Sequence, residues 1–124
     1  MKPYVLIAAI LAACAPNETV TLSTQTVPTT PADRAALAGV SDLAKDPGSV
    51  QFRDVRTFAT TGNQRIICGD YNARNSFGAY VGFLPFWVRT YENQPVHVVA
   101  AANVDEAAPV ARNCAAAATG KVSV

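Results

Sequence analysis

Arg53-Asp-Val-Arg-Thr-Phe-Ala-Thr-Thr-Gly-Asn-Gln-Arg-Ile-Ile-Cys-Gly-Asp-Tyr71 decides the fold. Arg53 to Thr60 is rich in β-branched and aromatic residues, and Arg65 to Tyr71 alternates apolar side chains. Between them, Thr61-Gly62-Asn63-Gln64 reads as a hairpin turn, because glycine and asparagine tolerate positive φ. Two strands joined so tightly pair antiparallel. In the second, the period of two puts Ile66 and Cys68 on one face and Ile67 and Tyr71 on the other.

Downstream, Asn72 to Gly78 is a polar connection. Ala79 to Tyr91 reads as a long third strand bent at Pro85, Glu92-Asn93-Gln94-Pro95 as a turn, and Val96 to Ala102 as a fourth strand. Asn103 or Asp105 then caps a helix running to about Thr119, with Gly120 as its stop. Val110, Cys114 and Ala117 share one face of it. Upstream, Thr30-Pro31-Ala32-Asp33 opens a helix with a hydroxyl cap, an N-terminal proline and an acid. Its apolar stripe is Leu37, Val40 and Leu43/Ala44, and Asp46-Pro47-Gly48 ends it, with one further turn at Pro47 to Gln51. The expectation is α+β: a small antiparallel sheet of about four strands, with an N-terminal and a C-terminal helix packed on one face.

The N-terminus reads as an address. Lys2 precedes the apolar run Tyr4 to Leu11, too short for the roughly 20 residues of a spanning helix but suited to a signal peptide. Leu11-Ala12-Ala13-Cys14 resembles the lipobox of bacterial lipoproteins, in which small residues admit the backbone to the peptidase and the cysteine thiol is acylated. Residues 1–13 are then the leader. Residues 14–30 are the lipidated Cys14 and a Thr/Pro-rich tether, with an edge strand at Val20 to Leu22 as the alternative; residues 31–124 form one domain. That resemblance implies attachment to the cell envelope, facing the periplasm. Ala15, where enterobacterial lipoproteins held in the inner membrane carry aspartate, favours the outer membrane.

With Cys14 acylated, an exported chain keeps one pair, Cys68 and Cys114, which reads as a disulfide. Cys114, on the apolar face of the last helix, points toward the sheet that carries Cys68.

Two segments also resemble a family of small uncharacterised exported proteins and lipoproteins of proteobacteria and their phages. Asp46-Pro-Gly-Ser-Val-Gln-Phe-Arg53 matches a D-P-x-S-x-x-F-R opening. Cys68-Gly-Asp-Tyr-Asn-Ala-Arg-Asn-Ser-Phe-Gly-Ala-Tyr-Val-Gly-Phe-Leu-Pro-Phe86 matches C-G-x-x-N-A-x-N-S-F-G-x-Y-x-G-F-x-P-F. The resemblance supports the architecture and the Cys68–Cys114 pair. It assigns no activity and no catalytic residue.

Lys+Arg 10 against Asp+Glu 9 gives a formal charge of +1, and loss of Lys2 with the leader brings it to zero, so nucleic acid is not an expected partner. The sole histidine, His97, lies in a strand alternation with no acid or nucleophile beside it. One histidine and paired cysteines form no metal set of usual spacing, and no cofactor motif is present. The chain therefore reads as non-enzymatic.

The candidate binding loop is Asn72, Arg74, Asn75, Ser76 and Phe77 with Tyr80, where amides and flat rings stand together as in glycan or peptide readers. The competing reading is turn chemistry, with the asparagines bonding their own backbone and Phe77 plugging the core. The expected function is a lipid-anchored periplasmic binding or interaction module with an envelope protein or glycan partner. The alternative is a structural envelope lipoprotein that self-associates as a homo-oligomer, and the third option is a small hydrolase using Asp70 or Glu92. The anchor is directly testable: Cys14→Ser should release the protein from the membrane fraction and abolish acyl labelling, whereas retention in that fraction would refute the lipobox.

Overall fold

The computed structural model describes residues 20–123. Cys14 and the lipobox lie outside them. The strands are β1 (Thr21–Val27), β2 (Gln51–Thr60), β3 (Gln64–Asn72), β4 (Leu84–Tyr91), β5 (Gln94–Ala100) and β6 (Lys121–Ser123). They form one antiparallel sheet in the order β5-β4-β3-β2-β1-β6. The helices are α1 (Pro31–Ala36), α2 (Ala38–Ser41) and α3 (Val104–Ala118), with a single 3₁₀ turn at Pro47–Ser49.

The decisive hairpin stands as read. β2 and β3 meet through Thr61–Asn63, where Gly62 has φ 111° and Asn63 φ 61°. β4 and β5 are joined by Glu92 and Asn93, with φ 48° and 65°; two positive φ values in a two-residue turn match the twist of antiparallel strands. Thr30 caps α1 as expected: its hydroxyl accepts from Asp33 N–H, and Asp33 Oδ2 accepts from Thr30 N–H in return. Asn103 caps α3 by accepting from Asp105 and Glu106 N–H.

Five expectations need correction, the first being the N-terminal helix, which is two short helices ending at Ser41, with Leu43 exposed rather than in an apolar stripe. The sheet has six strands rather than four. The Thr-rich segment 21–27 is not tether but β1, lying between β2 and β6, because β-branched threonines favour a pleated strand and Leu22 and Thr24 turn a half-buried face inward. The third strand begins at Leu84, not Ala79, since residues 73–83 turn through Gly78 and Gly82 at positive φ. The two helical segments also cover opposite faces of the sheet, not one. Ile67, Phe86 and Val88 pack against Ala36, Leu37 and Val40 of the α1–α2 segment. Ile66 and Cys68, one residue out of phase, pack with Cys114, Ala117, Phe58 and Val122. The alternation in β3 thus feeds two cores instead of one.

Each core has its own clamp. Cys68 and Cys114 are disulfide-bonded, with Cα atoms 5.9 Å apart across 46 residues, which joins α3 to a central strand. A loop of that length contributes about 4 kcal/mol in the chain-entropy account. On the other face, Arg65 donates to Asp33 in two bonds, Nε–Oδ1 at 2.8 Å and NH2–Oδ2 at 2.7 Å, tying α1 to β3. Asp33 is only 1% exposed, so this pairing is what makes its burial tolerable.

Burial alone would raise the Asp33 pKa. The hydrogen bonds from Arg65 and Thr30 outweigh it and hold the carboxyl below its ordinary value of 3.8. A depressed folded-state pKa contributes stability that is present above the unfolded value and is lost as pH falls through the folded one. Asp33→Asn should therefore cost about 3 kcal/mol at neutral pH, because it leaves the Arg65 charge without its countercharge and removes one of its acceptor oxygens, and should flatten the loss of stability below about pH 4. Urea melts across pH 2–7 on both proteins check this; parallel pH profiles would contradict it.

Candidate functional site

The loop singled out in the sequence, residues 72–80, is largely occupied with its own backbone. Asn72 Oδ1 accepts from Gly82 N–H at 3.1 Å. Asn75 Oδ1 accepts from both Phe77 and Ala79 N–H, at 2.9 and 3.1 Å, and Ala79 O accepts from Asn75 N–H. Arg74 lays its guanidinium 5.4 Å from the Tyr80 ring centroid, and Tyr80 OH donates to Ser49 O at 2.8 Å. Ser49 Oγ accepts from Arg74 N–H, so the loop is fastened to the 3₁₀ turn. Phe77 does not plug the core: it is 95% exposed at the loop tip, beside the exposed Ser76. The loop thus brings Arg74 and Tyr80 together but uses its asparagine oxygens to close turns.

The neighbouring Tyr71 is likewise committed. Its hydroxyl donates to Ala101 O, and burial, with the Glu106 charge nearby, raises its pKa. The two carboxylates considered for hydrolysis do not meet. Asp70 pairs with Arg53 at 3.3 Å opposite Pro85, while Glu92 lies beyond the other end of β4, about 24 Å along a strand at 3.4 Å per residue. Among the described residues, no three of His, Cys, Asp or Glu cluster closely enough to hold a metal.

A second assembly lies on the α3 face. Register aligns Ile66, Arg89 and His97 in one row across β3, β4 and β5, and Cys68, Trp87 and Val99 in the next. These side chains share one face because directly opposed residues do. The Trp87 and His97 rings meet edge to face, with centroids 4.9 Å apart. Beside them opens a cleft of about 380 Å³, floored by Ile66, Trp87 and Val122 and rimmed by Arg89, His97 and Asn113. Ser123 of β6 also borders it, although β5 and β6 are the two outer strands of the sheet. Five strand spacings of about 4.8 Å would separate those edges by about 24 Å if the sheet were flat. Its curl around α3 brings them to one cleft.

The chemistry of that cleft is uneven. Ile66 and Val122 are buried, and Trp87 adds a broad apolar surface. Among the described residues, Arg89 Nε is buried yet has no hydrogen-bond partner, and Arg89 enters none of the ion pairs. A buried donor left unpaired costs roughly 1–3 kcal/mol, more for a charged group. Among the described residues, no carboxylate lines the cleft.

No family model, curated protein or solved structure matches this chain. The geometry of its own residues therefore carries the functional argument.

In the sequence His97 stands in a strand alternation with no acid or nucleophile beside it, and neither Trp87 nor Arg89 belongs to a motif. One signal was available: Phe86-Trp-Val-Arg89 alternates, and its Trp/Arg face pairs with the His97 face of the next strand. The cleft also needs Val122 and Ser123 of β6, a strand too short to show in the sequence.

The two loop readings separate in thermal melts. Asn75→Ala removes one acceptor from two N–H groups and should cost about 1 kcal/mol, or roughly 4 °C in Tm. Phe77→Ala, at an exposed tip, should leave Tm within about a degree. Equal effects would contradict this division of roles.

Proposed function

We propose that this chain is a lipid-anchored periplasmic binding module, held in the outer membrane through Cys14, whose ligand seat is the cleft of Trp87, Arg89 and His97. The observation that carries the reading is the half-buried Arg89, whose Nε has no partner among the described residues, beside an apolar floor in a concave site. Ligand sites combine that way: apolar walls supply affinity, and a few polar groups supply orientation. The lipobox and a short tether, ending where β1 begins at Thr21, support presentation of the domain close to a membrane surface. The apolar floor and the single cation at the cleft favour reading it as a binding site. On this reading the Asn72–Tyr80 loop is a structural turn, and any envelope protein or glycan partner would meet the exposed Phe77 rather than the asparagines.

One observation favours the alternative, a self-associating structural lipoprotein. β5 is an outer strand, and its residues Gln94 to His97 are exposed, with Val96 54% exposed. Such an edge invites pairing with a second copy, although Pro95 interrupts its row of donors.

The two readings part in one experiment. The protein purified from membranes is weighed in solution, and its Trp87 emission is followed while the low-molecular-weight fraction of an envelope extract is added. A monomer with a saturable emission change supports the binding module. A stable dimer with no emission change would overturn it in favour of the structural reading.

A further inference from the structure

We propose that the cleft binds a small organic carboxylate with a flat apolar body, the carboxylate on Arg89 and the body on Trp87; this rests on the reading of the cleft as the ligand seat. Charge sets the first requirement. Among the described residues, Arg89 is the one permanently charged residue lining the cleft, and no acidic side chain there offsets it. The Arg89 side chain is half-buried and lines the cleft, and its Nε has no acceptor among the described residues, so the guanidinium is available to an anion that enters. The guanidinium is a planar fork of donors that matches the two oxygens of a carboxylate.

Shape and polarity set the second. Beyond Arg89 the floor is Ile66, Val122 and the Trp87 ring, of which Ile66 and Val122 are 5% and 4% exposed. An inorganic anion would satisfy the guanidinium and leave this apolar surface unused. A flat hydrocarbon or aromatic body covers it and meets the indole in an offset or edge arrangement. His97, already edge-on to Trp87 at 4.9 Å between centroids, bounds the slot on the β5 side. Asn113 of α3 and Ser123 of β6 place neutral polar groups at the mouth, suited to a second polar substituent on the ligand. Size sets the third requirement: about 380 Å³ lies toward the small end of ligand sites, which run from about 300 to 1,000 Å³.

Trp87 is the only tryptophan of the chain, so its fluorescence reports on this cleft alone. The test titrates the purified protein with phenylacetate, phenylacetamide and inorganic phosphate. Phenylacetate should change Trp87 emission saturably, and the neutral amide and phosphate should each bind at least tenfold more weakly. Arg89→Gln should lose at least tenfold in phenylacetate affinity, and Arg89→Lys, which keeps the charge but not the fork, should lose less. Should Arg89→Gln fail to fold, Asn113→Phe keeps the test open. It places a ring at the mouth of the cleft from an exposed position of α3, and should block binding with the circular dichroism of the domain unchanged. Equal binding of acid and amide, phosphate binding as tight as phenylacetate, or indifference to Arg89→Gln would each overturn the proposal. Emission that responds to the envelope extract but not to phenylacetate would discard the carboxylate class and leave the binding module standing. Silence to both would discard both.

Discussion

The bond between Cys68 and Cys114 is the constraint on which the α3 half of the molecule depends. Cys68 sits in β3, a central strand, and is fully buried. Joining it to Cys114 fixes α3 against the face that Ile66, Cys68 and Trp87 share. The chain leaving α3 then has only Thr119 and Gly120 before β6, so the position of α3 decides where β6 can pair. Thr24 completes the junction: its hydroxyl donates to Ala117 O and its N–H to Gly120 O. β6 consequently pairs with β1, at the edge remote from β5, and the sheet must curl for both to border one cleft. The cleft is thus a consequence of a covalent bond made outside it.

The opposite face is organised without covalent help. Arg65 projects from β3 to the side that carries Ile67, meets Asp33 in a forked pair, and also donates to Pro28 O. That places the start of α1 over the sheet and lets Leu37 and Val40 close on Phe86 and Val88. Gly39 belongs to the same packing: a Cβ there would stand 2.8 Å from a Val98 methyl, so the close approach of α2 to β5 needs a glycine. A domain of about a hundred residues has little surplus core, and splitting it over two faces makes each clamp matter more.

Much of this was legible in local sequence because local chemistry decided it. The Gly62–Asn63 turn, the Thr30–Asp33 cap, the Asn103 cap and the Cys68–Cys114 pair depend on a few residues each, and they form as read. What escaped depends on partners distant in sequence. Thr21–Val27 lacks a long apolar alternation, and it is a strand because β2 and β6 flank it. Lys121–Ser123 is too short to announce itself, yet Val122 is buried in the α3-side core. Cys68 alone points to a helix on one face, but Ile67 is apolar on the other, and a strand buried on both sides needs a cover on each. The cleft joins β3, β4, β5, α3 and β6, so no window of sequence displays it. The loop at residues 72–80 was conspicuous for the opposite reason, since turn chemistry and ligand chemistry draw on the same asparagines.

The arrangement also explains why a cleft persists in so small a domain. Its floor is shared with the core that the disulfide holds, so it cannot collapse without moving α3, and the charge of Arg89 resists closure by apolar side chains alone. The central claim is that the disulfide, by holding α3, shelters Trp87 and shapes the cleft. Iodide quenching of Trp87 fluorescence, with the bond intact and after its reduction, tests this most directly. The account predicts weak quenching in the oxidised protein and severalfold stronger quenching once the bond is broken, with mass analysis confirming the gain of two hydrogens. Quenching unchanged by confirmed reduction would contradict it.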